Sequence, residues 1–210
     1  MTTMRLDDLR QYSDVLRSRH GKAVTVRFVE PRDAEALQSY FRSLSTRSRY
    51  SRFLGAASEL PPSELEHFIH VGEADRFSVV ATMLVDGRET IVGEARYAFD
   101  SAAASIELGL SIDDRWQGHG IGAALLKNLE CRAASLGAER VFGDTLRSNE
   151  AMIALARKAG YAFTNTPGDW RLTRFLKQIQ KRIKVEPQEI PCAGWRLTAV
   201  SPSAMSSLAV

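Results

Sequence analysis

Cysteine is scarce in this chain: 210 residues hold two, Cys131 and Cys192. So few, so far apart, they supply neither a disulfide framework nor a metal-ligand spacing, and a reducing, cytoplasmic setting is expected. Long apolar runs are also missing. No segment approaches the roughly 20 residues of a membrane span, and Met1-Thr2-Thr3-Met4-Arg5-Leu6-Asp7-Asp8 lacks the apolar core of a signal peptide. No membrane partner is expected. The net charge of +3 and pI near 9.0 are mild, and no lysine/arginine run suggests a nucleic-acid footprint. There is no Gly-x-Ser-x-Gly elbow for a hydrolase triad. His67 and His70 lie beside Glu64 and Glu66, but no second ligand pair follows. A solvated helix is the preferred reading there, and no metal is expected.

What remains reads as one globular domain, with 44% hydrophobic and 25% charged residues. Residues 1–22 form a polar lead expected to be helical. Val24 to Val29 alternates like a strand, and Pro31-Arg32-Asp33-Ala34 starts a helix with proline in its first turn. Pro61-Pro62-Ser63 opens another, with Ser63 as its expected cap. Strands are expected over Phe77–Val85, Thr90–Phe99 and Ser105–Ile112. A helix then runs to about Leu136 and stops at Gly137. Val141–Leu146 reads as a strand, Asn149–Ala159 as a helix, and Tyr161–Thr164 and Trp170–Leu176 as strands. The series is α/β, with a mixed, mostly antiparallel sheet and one crossover.

The crossover carries the most informative stretch, Gln117-Gly118-His119-Gly120-Ile121-Gly122-Ala123. A glycine-rich turn between strand and helix aims unpaired backbone N–H groups outward, and the helix dipole adds positive charge there. Such a turn can cradle pyrophosphate. It is not a Walker loop, because Ala123-Ala124 follows Gly122 where Lys-Ser/Thr would be required. Nor is it the dinucleotide fingerprint, because Gly118, Gly120 and Gly122 alternate without the double spacer. An αL turn that binds nothing is the bland alternative.

The spacing Gln117-x-x-Gly120-x-Gly122, between strand and helix, resembles the acetyl-CoA loop of the GNAT superfamily of N-acetyltransferases. Asn149-Glu150-Ala151-Met152-Ile153-Ala154-Leu155 with Lys158-Ala159-Gly160-Tyr161 is similar to a second segment of that family. The resemblance covers about residues 23–177 and leaves 178–210 as a tail, flexible or partner-binding. It implies the GNAT fold, with splayed strands holding acetyl-CoA. It implies contacts from Leu110, Ser111 and Ile112, from Gln117, Gly118, His119, Gly120, Ile121, Gly122 and Ala123, and from Asn149. For Asn149 plain helix capping is the simpler role, and the two can coexist. Pantetheine amides would pair with the strand near Leu110 and Ile112. The N–H near Leu110 would meet the thioester carbonyl as charge develops on its oxygen.

Amine attack on a thioester requires a neutral amine, and a lysine is neutral in only about one part in 10³ at pH 7. Glu107, an unusual carboxylate in a central strand, is the candidate base. Glu94 on the neighbouring strand competes. Either could instead be a sheet carboxylate paired with Arg96 or facing water. Gly109 and Ser111 share the face of Glu107 and would open space for a substrate. Many members of the family place a tyrosine acid where this chain has Ala156, so no side-chain acid is assigned, and the thiol leaves as thiolate.

The acceptor is an amine. Leu44 to Phe53, with Glu107-Leu108 and Asp114-Arg115-Trp116-Gln117-Gly118, is similar to the acetyltransferase domain of bacterial protein lysine acetyltransferases, which modify acyl-CoA synthetases. Arg47, Arg49 and Arg52 have the alternative of a solvated helix face. A small-amine acetyltransferase and a non-catalytic CoA-binding module are the other readings. A monomer or a homodimer is expected.

Overall fold

Short extended segments pair into one sheet, and tight turns fold several neighbouring strands together. Val85-Asp86-Gly87-Arg88 does this most tightly: Asp86 and Gly87 both take positive φ, 50° and 74°, as a right-twisted hairpin requires. The computed structural model describes residues 12–18, 21–54, 57–69, 76–179 and 196–197. Nine strands are present among them: β1 (Tyr12–Arg17), β2 (Ala23–Phe28), β3 (Arg76–Val85), β4 (Arg88–Asp100), β5 (Ser105–Ile112), β6 (Arg140–Leu146), β7 (Ala162–Asn165), β8 (Leu172–Gln178) and β9 (Arg196–Leu197). Their order is β7-β8-β6-β5-β4-β3-β2-β1-β9. Every neighbouring pair is antiparallel except β5 and β6, which are parallel.

Five α-helices cover both faces: α1 (Ala34–Ser43), α2 (Thr46–Phe53), α3 (Pro62–Ile69), α4 (Ile121–Ser135) and α5 (Glu150–Lys158). On one face α4 buries Ile121, Leu125, Leu126 and Leu129 against Val79, Ala95, Leu108 and Val141. On the other, Leu37, Tyr40 and Phe41 of α1 and Phe68 of α3 pack on Val80 and Ile91. The sheet therefore has two apolar faces, which is why β3 is buried almost without alternation from Phe77 to Met83. Among the described residues no helix is long and apolar enough to cross a membrane.

Three expectations change. Residues 1–22 are not a helical lead throughout: residues 1–11 lie outside the described residues, and Tyr12–Arg17 is a strand on the edge of β2. Edge pairing overrides local propensity there. Asp14 anchors it, buried and accepting hydrogen bonds from Asn128 and Arg132 of α4. In the tail, Arg196–Leu197 adds a short strand to β1. Ser63 lies inside the first turn of α3, which begins at Pro62, so it is not the cap.

Candidate active site

Strands β5 and β6 pair only from Ser105↔Arg140 to Glu107↔Phe142. Beyond that point they separate, while β5 stays registered with β4 up to Gly93↔Ile112. The Asp113 N–H donates to the Val92 carbonyl at 2.9 Å. That rung sets the phase of the antiparallel ladder: Ser111 and Gly109 exchange bonds with β4, and Leu110 and Ile112 turn their backbone groups toward the gap. A strand edge no longer paired with β6 borders a cleft of about 720 Å³, a size suited to a small-molecule site.

The glycine loop closes one end. Gly118 and Gly120 have φ of 76° and 85°, and Gly120 is the N-cap of α4, so its first-turn N–H groups point into the cleft. Gln117 Nε2 donates to the Ile112 carbonyl at 3.1 Å and fixes the loop to β5. Asp113 accepts from Arg115 and from Ser43 Oγ, and Asp114 accepts from Ser45 and Ser48. Burial acts to raise both carboxyls, but these hydrogen bonds outweigh it and hold each below the ordinary aspartate value.

Asn149 stands across the gap at the start of α5. Its Oδ1 accepts from Met152 N at 3.2 Å and its Nδ2 donates to Thr145 Oγ1 at 3.1 Å. Capping is therefore one of its roles, and the second Nδ2 hydrogen is not engaged by it. Leu110, Ser111, Ile112, Gln117, Gly118, Gly120, Gly122, Ala123 and Asn149 all line the cleft. His119 and Ile121 do not: the His119 ring turns back to the Gln117 carbonyl, and Ile121 is in the core. The cradle fits an acyl-CoA on its own geometry. A Cβ on Gly122 would meet Leu155 Cδ2 at 3.4 Å and Ile112 Cγ1 at 3.7 Å, so glycine there keeps the gap between β5 and α5 open.

The two carboxylates occupy different surroundings. Glu107 is exposed on β5, two residues from Gly109 on the same face, roughly 7 Å along the strand. It does not line the cleft itself. The Arg174 guanidinium is raised chiefly by its hydrogen bond to Asp144, and Glu107 adds to that effect. Glu94 is 1% exposed. It accepts from Arg52 Nε at 2.7 Å, Arg52 Nη2 at 3.2 Å and Ser111 Oγ at 2.6 Å, and Ser111 in turn meets Tyr40 Oη at 2.9 Å. Its partner is thus Arg52, while Arg96 pairs with Glu64.

This overturns the solvated-face reading for Arg52, whose side chain is only 16% exposed and reaches across to β5. It also corrects the role of Gly109. A Cβ there would lie 2.7 Å from Arg52 Nη1, so the space belongs to the guanidinium and not to a substrate. A glycine inside a strand marks such close approaches, and that was the available signal. The sequence reading also assigned no element to α2, which supplies Arg47, Ser48, Ser51 and Arg52 to the cleft wall.

Ala156 is fully buried, and among the described residues no tyrosine lines the cleft. His67 is exposed and His70 lies outside the described residues, among which no group of three or more metal-type ligands occurs. Cys192 lies outside them as well.

Comparison with known proteins agrees with this geometry. The acetyltransferase PA5475 of Pseudomonas aeruginosa is 28% identical over 149 residues, which cover 71% of this chain and 80% of that protein. The GNAT domain of S. lividans PAT superposes with a TM-score of 0.72 at 25% identity, covering 79% of this chain and 96% of the other. YncA of Salmonella typhimurium, solved with acetyl-CoA, shares the fold with a TM-score of 0.59 at 19% identity, over 79% of this chain and 99% of its own. The Acetyltransferase (GNAT) family model matches residues 38–161, more than half of the 210. The chain belongs to that family of acyltransferase enzymes.

Proposed function

We propose that this acetyltransferase acts on a lysine side chain of a protein, with acyl-CoA synthetases as the acceptor class to test first. The observation that carries this reading is the exposure of Glu107 on β5, outside the set of residues that line the cleft. A macromolecule can bring a lysine to such a surface and cover it. Two large side chains exposed on the surface favour the same reading. Tyr50 on α2 is 43% exposed and Trp170 in the β7–β8 loop is 83% exposed. Tyr50 also acts electrostatically on Arg171, the neighbour of Trp170, so the two segments approach each other.

Acetyl-CoA supplies an activated acyl carbon and a thiolate leaving group. Glu107 takes the proton of the incoming ammonium, directly or through a water, and the Leu110 N–H donates to the thioester oxygen. The amine nitrogen bonds to the acyl carbon, the C–S bond breaks with the sulfur keeping the electron pair, and the second N–H proton is lost to water or to the departing thiolate. The first turn of α4 holds the pyrophosphate, and Asn149 uses its spare Nδ2 hydrogen on the pantetheine arm. The test compares thiol release and acetyl-lysine formation with an intact acyl-CoA synthetase, free lysine, a polyamine and an aminoglycoside. Protein acetylation with poor turnover of free lysine is expected. Efficient turnover of a small amine with no modified protein would replace this reading with the small-amine one.

A further inference from the structure

Arg52 approaches β5 from α2 and does two things there. Its Nε and Nη2 hold Glu94, and Nη2 also lies 3.3 Å from the Gly109 carbonyl oxygen, to which it donates. That oxygen belongs to the same peptide unit as the Leu110 N–H. The peptide is trans, so the two point in opposite directions: the carbonyl toward β4 and Arg52, the N–H into the gap between β5 and β6.

We infer that Arg52 is a positioning residue that polarises the Gly109–Leu110 peptide and so strengthens the Leu110 N–H as donor to the thioester oxygen. A cation on the carbonyl side draws electron density from the amide nitrogen, and the effect is larger in a site of low dielectric. The guanidinium keeps its charge although it is largely removed from water. Burial works against the charged form, and Glu94, by charge and hydrogen bonds, more than reverses this. Gly109 is what lets the guanidinium lie against the strand, since any Cβ would collide with it. Glu94 holds the cation, Gly109 admits it, and the Leu110 N–H is the group that gains. This inference rests on the proposed seating of the acetyl thioester at Leu110.

The test is isotope-edited infrared spectroscopy of [1-13C]acetyl-CoA on the protein, combined with steady-state kinetics. The wild type should lower the thioester carbonyl frequency relative to free acetyl-CoA. Removing one charge alone would strand the other in the interior, so the informative variant is Arg52→Gln with Glu94→Gln, two neutral amides able to pair. It should lose most of the frequency shift and about tenfold in kcat, with acetyl-CoA Kd within about twofold. Arg52→Lys should recover part of both. If the double variant does not fold, Gly109→Ala provides the same reading by pushing the guanidinium off the carbonyl. A folded variant with wild-type frequency and kcat would overturn the role of Arg52 and leave the seating at Leu110 intact. A wild type with no shift at all would overturn the seating, and this inference with it.

Discussion

The two walls of the cleft are made of different material. On the side of the glycine loop and α5 the cradle itself is backbone, the first-turn amides of α4 and the edge of β5 beyond Glu107, with the side chains of Gln117, Thr145 and Asn149 beside it. On the side of α2 the polar groups are side chains: Arg52 and Ser111 line the cleft, and the buried Glu94 and Tyr40 behind them complete one hydrogen-bonded chain. Backbone donors are fixed once the strand and helix form, and any sequence that folds this way presents them. Side-chain charges must each find a partner, so that wall is specific to this protein and fragile to single changes. The first wall suits a cofactor shared by many enzymes, and the second can be fitted to one acceptor.

The sharpest way to break this contrast is through stability. Glu94→Gln should cost about 3 kcal/mol, the low end for breaking a buried pair because the Arg52 side chain is still 16% exposed, and should lower Tm by roughly 10 °C. The double variant with Arg52→Gln should recover much of that loss. If Glu94→Gln melted like the wild type, the α2 wall would not be held together by this pair. Glu107→Gln should behave in the opposite way. Its side chain is exposed, so stability should stay within about 0.5 kcal/mol, while kcat should fall by about 10²–10⁴ as for loss of a general base. Near wild-type turnover in Glu107→Gln would end its assignment as base and turn attention to Glu94.

The backbone wall is tested by filling it. Gly122→Val puts two methyl groups beyond a Cβ that already touches Leu155 and Ile112. Acetyl-CoA Kd should rise about a hundredfold, or about 2.7 kcal/mol, and the stabilisation of Tm by acetyl-CoA should largely vanish. Gly122→Ala should stay within a few-fold, because its Cβ makes only ordinary contacts. Equal affinity in calorimetric titrations of all three proteins would remove Gly122 from the binding site.

What could be read from the sequence follows the same division. Gly118 and Gly120, the strand before them and the helix after them are local, and short-range spacing was enough to foresee them. Asn149 as a helix cap is local too. Helix α2 was not legible, because Thr46-Arg47-Ser48-Arg49-Tyr50-Ser51-Arg52-Phe53 has no buried residue and so no apolar stripe. It is held instead by the Ser45 cap on Ser48 N and by Asp114, 66 positions away from Ser48. The Arg52–Glu94 pair spans 42 positions, and nothing in the spacing of either residue singles out its partner. Strand β1 escaped for a similar reason, since its pairing with β2 and its Asp14 anchor on α4 are tertiary events.

The smallest expected effect lies where the two walls meet, at Asp113. Its buried carboxylate takes bonds from Arg115 N, Nε and Nη2 on the loop side and from Ser43 Oγ at the end of α1, at 3.0 Å. Because the folded carboxyl titrates below its ordinary value, the unfolded chain binds a proton more readily than the native one. The stabilisation is therefore complete above the ordinary carboxylate range and disappears as pH falls through the folded value. Asp113→Asn should thus be less stable than the wild type by about 1–2 kcal/mol near pH 7, the usual worth of hydrogen bonds to a charged group. That difference should stay flat down to about pH 5 and close progressively below the reference carboxylate pKa near 3.9. Urea unfolding of both proteins across this range measures it directly. A gap that persisted at the lowest pH would mean that Asp113 acts through shape alone, and that its charge does not tie the glycine loop to the α1–α2 side.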